Sequence, residues 1–269
     1  MPRERHLGMT PAPLRDVWLF SLDSEGFHAA PTTTGGLIAW YCHHGARIAQ
    51  TRFRQLHFRT AEQAAAWEPG ESGLWADADA EFPAVAGFSV YTWNAAEFSD
   101  MARRIRRECP GVVLLAGGPH VQQAIDWLGP EAFDVVVLGE GERSLQEFLD
   151  TPQSAWHTVP GIARRDARGE LVVGPPRARQ LRLEELPSPL EVVELCDAAG
   201  RPLYDAVSYE TARGCPFRCA FCEWGTGAIG TKMLSFPLER LRRDWEHIVR
   251  SGRSEEHTSE LQSPCNLVC

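Results

Sequence analysis

Three cysteines lie within eight positions, Cys215-Pro-Phe-Arg-Cys219-Ala-Phe-Cys222, a C-x3-C-x2-C spacing. Thiolates are soft ligands, and three on one short stretch can hold three irons of a cubane iron–sulfur cluster. The fourth iron is then left without a protein ligand, open to a chelating group on a small molecule. Zinc is the competing chemistry. A structural zinc site takes four protein ligands, and the further donors, Cys196 and His247, are distant in the sequence. Plain buried thiols are a third possibility.

The elements around the cysteines say how they would be held. Asp205 to Thr211 reads as a strand that runs straight into the motif. A helix begins around Ser235-Phe236-Pro237, with Leu238, Leu241, Trp245 and Ile248 at helical spacing. Strand, loop and helix have the form of the first βα unit of a barrel.

Upstream the pattern is different. Residues 16–22 (Asp-Val-Trp-Leu-Phe-Ser-Leu) read as a buried strand. A loop through Gly35-Gly36 follows, then a helix over Leu37 to His44, stopped by Gly45. A second strand is expected over 53–59 and a helix over 60–67. Val85 to Tyr91 is the next strand. Asn94-Ala-Ala-Glu97 then resembles a capping box, with Phe98, Met101, Ala102 and Ile105 on one helical face. Gly111 to Ala116 and Phe133 to Leu138 read as strands, followed by helices over 121–128 and 143–149.

Strands and helices thus alternate with short connections, which predicts an α/β fold: a Rossmann-like doubly wound parallel sheet. In such sheets ligands bind outside the carboxyl ends of the strands. Two glycine-rich turns fall there, Gly117-Gly118-Pro119-His120 and Gly139-Glu140-Gly141-Glu142. Glycine allows close backbone approach, and the helix N-termini beside the turns offer N–H donors to an anionic group.

The organisation expected is an α/β domain over 1–150, a turn-rich connector over 151–204 and a new unit over 205–252. Within the connector, Val172-Val173-Gly174 fits a small hairpin. Residues 253–269 are set apart. Arg253 to Ser263 matches one reading frame of a common sequencing adapter over eleven residues, so the tail is read as non-native and the natural sequence as interrupted near Gly252. On that reading Cys265 and Cys269 are not ligands; a polar natural tail is the alternative.

Composition limits the remaining options. With 269 residues, 43% hydrophobic and 23% charged, the chain can bury a sizeable core. A net charge of -9 argues against a general grip on nucleic acid. The basic run Arg103-Arg104 with Arg106-Arg107 is expected on a solvated helix face. No stretch approaches the roughly 20 apolar residues of a membrane span, and the clustered cysteines do not form a secreted disulfide framework. A reducing cytoplasm is the expected location.

The cysteine motif resembles that of the radical S-adenosylmethionine (SAM) superfamily. The resemblance implies a [4Fe–4S] cluster on Cys215, Cys219 and Cys222, with SAM chelating the open iron and Phe221 near its adenine. Reductive cleavage of SAM would give a 5′-deoxyadenosyl radical that abstracts hydrogen from a substrate. The order of parts is similar to the cobalamin-binding subfamily, on the stretches Gly87 to Asn94, Ala116 to His120, Leu138 to Glu142 and Tyr209 to Cys215. Together they cover roughly residues 16–250. The resemblance implies a cobalamin-binding α/β domain followed by the start of a radical SAM (β/α) barrel, with Ser89, Tyr91, Gly117, Gly118, His120, Gly139, Glu140 and Gly141 as cobalamin-side contacts. The D-x-H-x-x-G motif is absent, which implies a corrinoid without a histidine on cobalt. An unoccupied α/β domain is the alternative reading of the glycine turns. For His120, capping of the next helix competes with contact to the corrin; for Tyr91 and Trp93, simple packing competes.

The activity implied is C-methylation, with one SAM supplying the methyl group and another the radical. A cyclisation or rearrangement would use the same domains, and a non-enzymatic corrinoid-binding module is the alternative from a different class. Methylthiotransferases need further N-terminal cysteines that Cys42 and Cys109 do not supply. The expected partners are a small-molecule or peptide substrate and a reductant such as flavodoxin or ferredoxin. One βα unit is too little barrel for turnover, so these 269 residues are expected to bind cobalamin without catalysing the reaction.

Overall fold

Along the first strand apolar side chains point both ways, so the strand has to be covered on both faces. Val17 and Leu19 face one side; Trp18, Phe20 and Leu22 face the other. The computed structural model describes residues 15–24, 26–69, 84–129, 133–217, 219 and 232–251, and it shows that double cover. The strands and helices in chain order are β1 (Arg15–Leu22), β2 (Ala29–Ala30), α1 (Thr32–His44), β3 (Thr51–Phe58), α2 (Ala61–Ala66), β4 (Val85–Ser89), α3 (Ala95–Glu108), β5 (Val113–Gly117), β6 (Val135–Val137), α4 (Gly141–Asp150), β7 (Ile162–Arg165), β8 (Leu171–Val173), β9 (Ala206–Val207), β10 (Ala212–Arg213), β11 (Leu234–Ser235) and α5 (Leu238–Arg250).

The main sheet has seven strands in the order β3-β1-β4-β5-β6-β7-β8. The first five pair in parallel, and β7 and β8 add an antiparallel edge. Counted along the chain, the parallel strands lie in the order 2-1-3-4-5, the flavodoxin-like doubly wound arrangement. Its switch point, where the connections diverge to opposite sides, lies between the carboxyl ends of β1 and β4. One face packs Trp18, Phe20, Phe88 and Leu114 against Phe98, Met101, Ala102 and Ile105 of α3. The other packs Val17, Leu19, Val113 and Leu115 against Ile38 and Tyr41 of α1 and Leu145, Phe148 and Leu149 of α4. The Rossmann-like reading holds, with the hairpin at 162–173 joined to the main sheet as its edge.

Several local expectations do not hold. Helix α1 starts at Thr32 and includes Gly35 and Gly36, because Gly35 lies against Val193 and Pro189 where a Cβ would not fit. The segment 121–128 makes only a 3-10 turn at Ala124–Asp126, since Leu128 is drawn into a bridge with Phe133. Of the strand expected over 205–211 only Ala206–Val207 pairs, as β9 on β2, and β10 on β11 begins just after it at Ala212. Asn94 sits at the N-cap of α3 but makes no side-chain cap bond. Leu238 of α5 is 70% exposed and Trp245 is also exposed, while Asp244 and Ile248 are the buried residues of that helix. Arg104 and Arg106 are not simply solvated: Arg104 donates to the carbonyls of Ala64, Ala65 and Trp67, and Arg106 pairs with Asp134. Among the described residues no helix is long and apolar enough to cross a membrane.

Candidate functional site

At the carboxyl edge of the sheet, the turns after β4, β5 and β6 lie side by side. Ser89 ends β4 opposite Gly117, which ends β5. Gly118 has φ +116°, and an added Cβ would lie 2.6 Å from the Val90 carbonyl oxygen. Only glycine can take that turn while the chain after β5 packs so close to the chain after β4. Asn94 fixes the β4 turn from within. Fully buried, it accepts from the Tyr91 N–H at 2.8 Å and donates to the Ser89 carbonyl at 3.1 Å. It satisfies two backbone groups of the turn instead of capping α3.

That turn carries two aromatic rings. Tyr91 and Trp93 stack with centroids 4.4 Å apart, and the Trp93 indole N–H donates to the Leu22 carbonyl at 3.3 Å, across the switch point. Trp93 is 40% exposed, so much of this ring faces outward at the edge. Burial pushes the Tyr91 hydroxyl above the usual phenol range, opposed by hydrogen bonding to Thr33 and Ser89. His120 is exposed, and its ring meets Trp127 edge-on at 5.7 Å. With no helix at 121–128, the capping alternative for His120 falls away. The ring lines an open cavity of about 510 Å³ together with Ala95, Ala96, Ser99 and Arg103 of α3.

The turn after β6 is different in character. Gly139 has φ +80° with open space where a Cβ would stand. Glu140 and Glu142, at the start of α4, turn toward Arg213, the last residue of β10 and two positions before Cys215. Arg213 reaches Glu140 at 3.3 Å, Glu142 at 2.8 Å and Glu210 at 2.9 Å. Burial opposes the guanidinium charge, but the carboxylates of Glu142 and Glu210 outweigh it and hold the pKa above the ordinary arginine value. Glu140 also accepts from the Gln180 N–H.

A second arginine closes the neck of the cysteine segment. Arg179 donates to the Arg213 carbonyl at 2.8 Å and to the Lys232 carbonyl at 2.6 Å. The β10–β11 ladder pairs Ala212 with Ser235 and Arg213 with Leu234. Gly214, at φ +101°, lies where any side chain would overlap Arg179 and Lys232. The two ends of the segment that carries the cysteines are thereby held together.

Of the expected site residues, Ser89, Tyr91, Gly117 and Gly118 come together at the β4 and β5 turns. Gly139, Glu140 and Gly141 lie at the β6 turn, which meets Arg213. His120 lies apart on the α3 side. Cys215 is buried and Cys219 half-buried. Phe221 and Cys222 lie outside the described residues, as does the tail at 253–269. Arg179 and Arg213 were not singled out by the sequence, and Asn94 was singled out only as a helix cap. The Arg213 partners Glu140 and Glu142 are more than seventy positions away, and no local pattern signals them.

The donor set and the edge suit the cofactors that the sequence implies. Cys215 and Cys219 are thiol donors within the held segment. The carboxyl edge offers an exposed indole, and an open turn at Gly139. Comparison with known proteins supports the cobalamin side of this. The B12 binding domain family matches residues 58–149. The cobalamin-dependent radical SAM methyltransferase TokK of Streptomyces tokunonensis is 36% identical over 180 residues, 62% of this chain and 26% of that protein. The 2-(S-pantetheinyl)-carbapenam-3-carboxylate methyltransferase of Streptantibioticus cattleyicolor is 37% identical over 175 residues, 61% of this chain and 25% of that protein. The chain thus spans about a quarter of the length of these curated relatives. Among solved structures, the cobalamin-dependent SAM radical enzyme OxsB, with aqua-cobalamin and SAM bound, superposes with a TM-score of 0.62. The identity there is 18%, over 89% of this chain and 32% of that one, which is a likeness of fold. Over the part it spans, the chain is similar in sequence to cobalamin-dependent radical SAM methyltransferases, and its residues 58–149 match the B12 binding domain family.

Proposed function

We propose that this chain is the cofactor-holding part of a cobalamin-dependent radical SAM C-methyltransferase, with cobalamin at the carboxyl edge of the main sheet and a [4Fe–4S] cluster on Cys215, Cys219 and Cys222. One observation carries the reading. Arg213, two residues before Cys215, is ion-paired to Glu140 and Glu142 in the turn after β6. The cysteine motif is thereby tied to the edge where a doubly wound sheet binds its ligand. When bound, the two cofactors supply methyl transfer and one-electron cleavage of SAM.

The chain's own residues bind and orient. Asn94 sets the turn that presents Trp93, a flat apolar surface suited to one face of a large ring. Gly118 brings the β4 and β5 turns together, and Gly139 leaves room for the ligand to approach the backbone. Arg179 and Arg213 hold both ends of the cysteine segment, which reduces the motion of its thiolates relative to the sheet. The substrate we infer is a small molecule rather than a peptide. Its support is the 37%-identical relative whose name specifies a pantetheinylated carbapenam. A protein reductant such as flavodoxin or ferredoxin would supply the electron, and a cytoplasmic location fits that need.

The test uses the protein at the relatives' full length, incubated anaerobically with SAM, cobalamin and a low-potential reductant. Methyl transfer predicts formation of both S-adenosylhomocysteine and 5′-deoxyadenosine. Production of 5′-deoxyadenosine with no S-adenosylhomocysteine would contradict it and point to cyclisation or rearrangement.

A further inference from the structure

Away from the cysteine segment, three side chains from three different elements converge at the carboxyl ends of β1 and β3. Asp23 follows β1, His28 precedes β2 and His57 lies on β3. The Asp23 Oδ2 atom is 2.8 Å from His28 Nδ1 and 3.1 Å from His57 Nε2. The three ligand atoms all lie within 4.8 Å of one another. We propose that Asp23, His28 and His57 form a site for one divalent first-row cation, with zinc the occupant that the donor set favours.

Two imidazoles and a carboxylate are hard-to-borderline donors of the kind zinc takes with three protein ligands and one open position. Zinc bonds of about 2.0–2.2 Å in a tetrahedron separate ligand atoms by about 3.3 Å, so small adjustments to the present distances suffice. The ligands are already held. Ser21 stands opposite His57 in the β1–β3 ladder, the Asp23 N–H donates to the Phe58 carbonyl at 3.0 Å, and the His28 carbonyl accepts from the Asp205 N–H at 2.7 Å. The three side chains are only 7%, 20% and 9% exposed for Asp23, His28 and His57. The Tyr204 ring lies 5.1 Å from that of His28 and 6.1 Å from that of His57.

Two details favour a cation over a plain hydrogen-bonded cluster. His57 Nδ1 is 2.8 Å from the Ser21 hydroxyl. A ligating histidine commonly gives its second ring N–H to such an outer partner, leaving the other nitrogen's lone pair for the metal. The second is crowding on one oxygen. His28 Nδ1, His57 Nε2 and the Ala29 N–H at 3.2 Å all converge on Oδ2, while among the described residues Oδ1 receives the Ala29 N–H alone, at 3.3 Å. With both imidazoles protonated on those nitrogens, three donors, one of them shared with Oδ1, meet the two lone pairs of one oxygen. A cation in place of the two imidazole protons removes that excess. The bound ion would tie the ends of β1 and β3 to β2 and, through the β2–β9 pairing, to the segment leading into the cysteines.

The test is zinc binding by the full chain carrying Cys215→Ala, Cys219→Ala and Cys222→Ala, stripped with chelator and reloaded with zinc chloride. The expected result is one zinc per chain after gel filtration. Its absorption-edge fine structure should show a nitrogen and oxygen shell at about 2.0–2.1 Å, with imidazole features and no sulfur. His28→Gln and His57→Ala should abolish the retained zinc, and Ser21→Ala should weaken it about 10–100-fold. His28→Gln decides if His57→Ala does not fold, because His28 is the most exposed of the three. A folded parent chain that retains no zinc, a sulfur shell around the bound zinc, or undiminished zinc in folded His28→Gln would each overturn the site.

Discussion

Arg213 shows how much a single residue can join. Its side chain is 16% exposed and its guanidinium meets Glu140, Glu142 and Glu210 at once. Removing one partner of such a cluster leaves carboxylates short of a counter-charge, at a cost of about 3 kcal/mol. Arg213→Met should therefore lower the unfolding free energy by about that amount in urea titration. It should also lower iron incorporation on reconstitution, because the neck of the cysteine segment loses its tie to α4. A variant as stable as the parent would show that the carboxylates relax into solvent. Asn94→Ala should cost about 2 kcal/mol, since it strands the buried Ser89 carbonyl and the Tyr91 N–H. A helix cap alone would cost about 1 kcal/mol, so the same denaturation experiment separates the two roles. The cysteine motif could be read as a candidate because three thiols on one short segment are written in local spacing. Arg213 and Arg179 could not, because their partners are distant in the chain. Asn94 was found for the wrong reason: its position before a helix is local information, but the atoms it bonds are set by the turn.

Among the elements, the strongly amphipathic ones were legible and the marginal ones were not. Helix α3 has Phe98, Met101, Ala102 and Ile105 fully buried, as its spacing predicts. Met101→Ala should cost roughly 3 kcal/mol through lost burial and a residual cavity. Leu238 also lies on a predicted helical face, yet it is 70% exposed, so Leu238→Ala should change stability by less than about 0.5 kcal/mol. Equal effects of the two substitutions in thermal or urea unfolding would contradict the packing described. The same pattern of spacing thus has two outcomes, because periodicity identifies a face but not what lies against it. At 121–128 the apolar residues suggested a helix, but the bridge between Leu128 and Phe133 takes the chain elsewhere. In α1 the glycines suggested a loop, whereas the close approach of Val193 makes Gly35 part of the helix. Tertiary contact decided each case.

For the whole molecule, the alternation of strand and helix was enough to give the doubly wound sheet. The order of strands, with β1 between β3 and β4, comes from the structure, as does the antiparallel edge of β7 and β8. That order places the switch point beside the turns that carry Tyr91, Trp93 and Gly118. The B12-binding match over residues 58–149 covers β4, β5 and β6, and the Arg213 contacts bring the cysteine segment to the same edge. The most direct measurement is anaerobic titration of the full chain with cobalamin, followed by gel filtration, cobalt analysis and absorption spectroscopy. The account predicts one cobalt per chain and a shifted corrin spectrum without the signature of a histidine ligand. A demonstrably folded chain that elutes free of cobalt would contradict it.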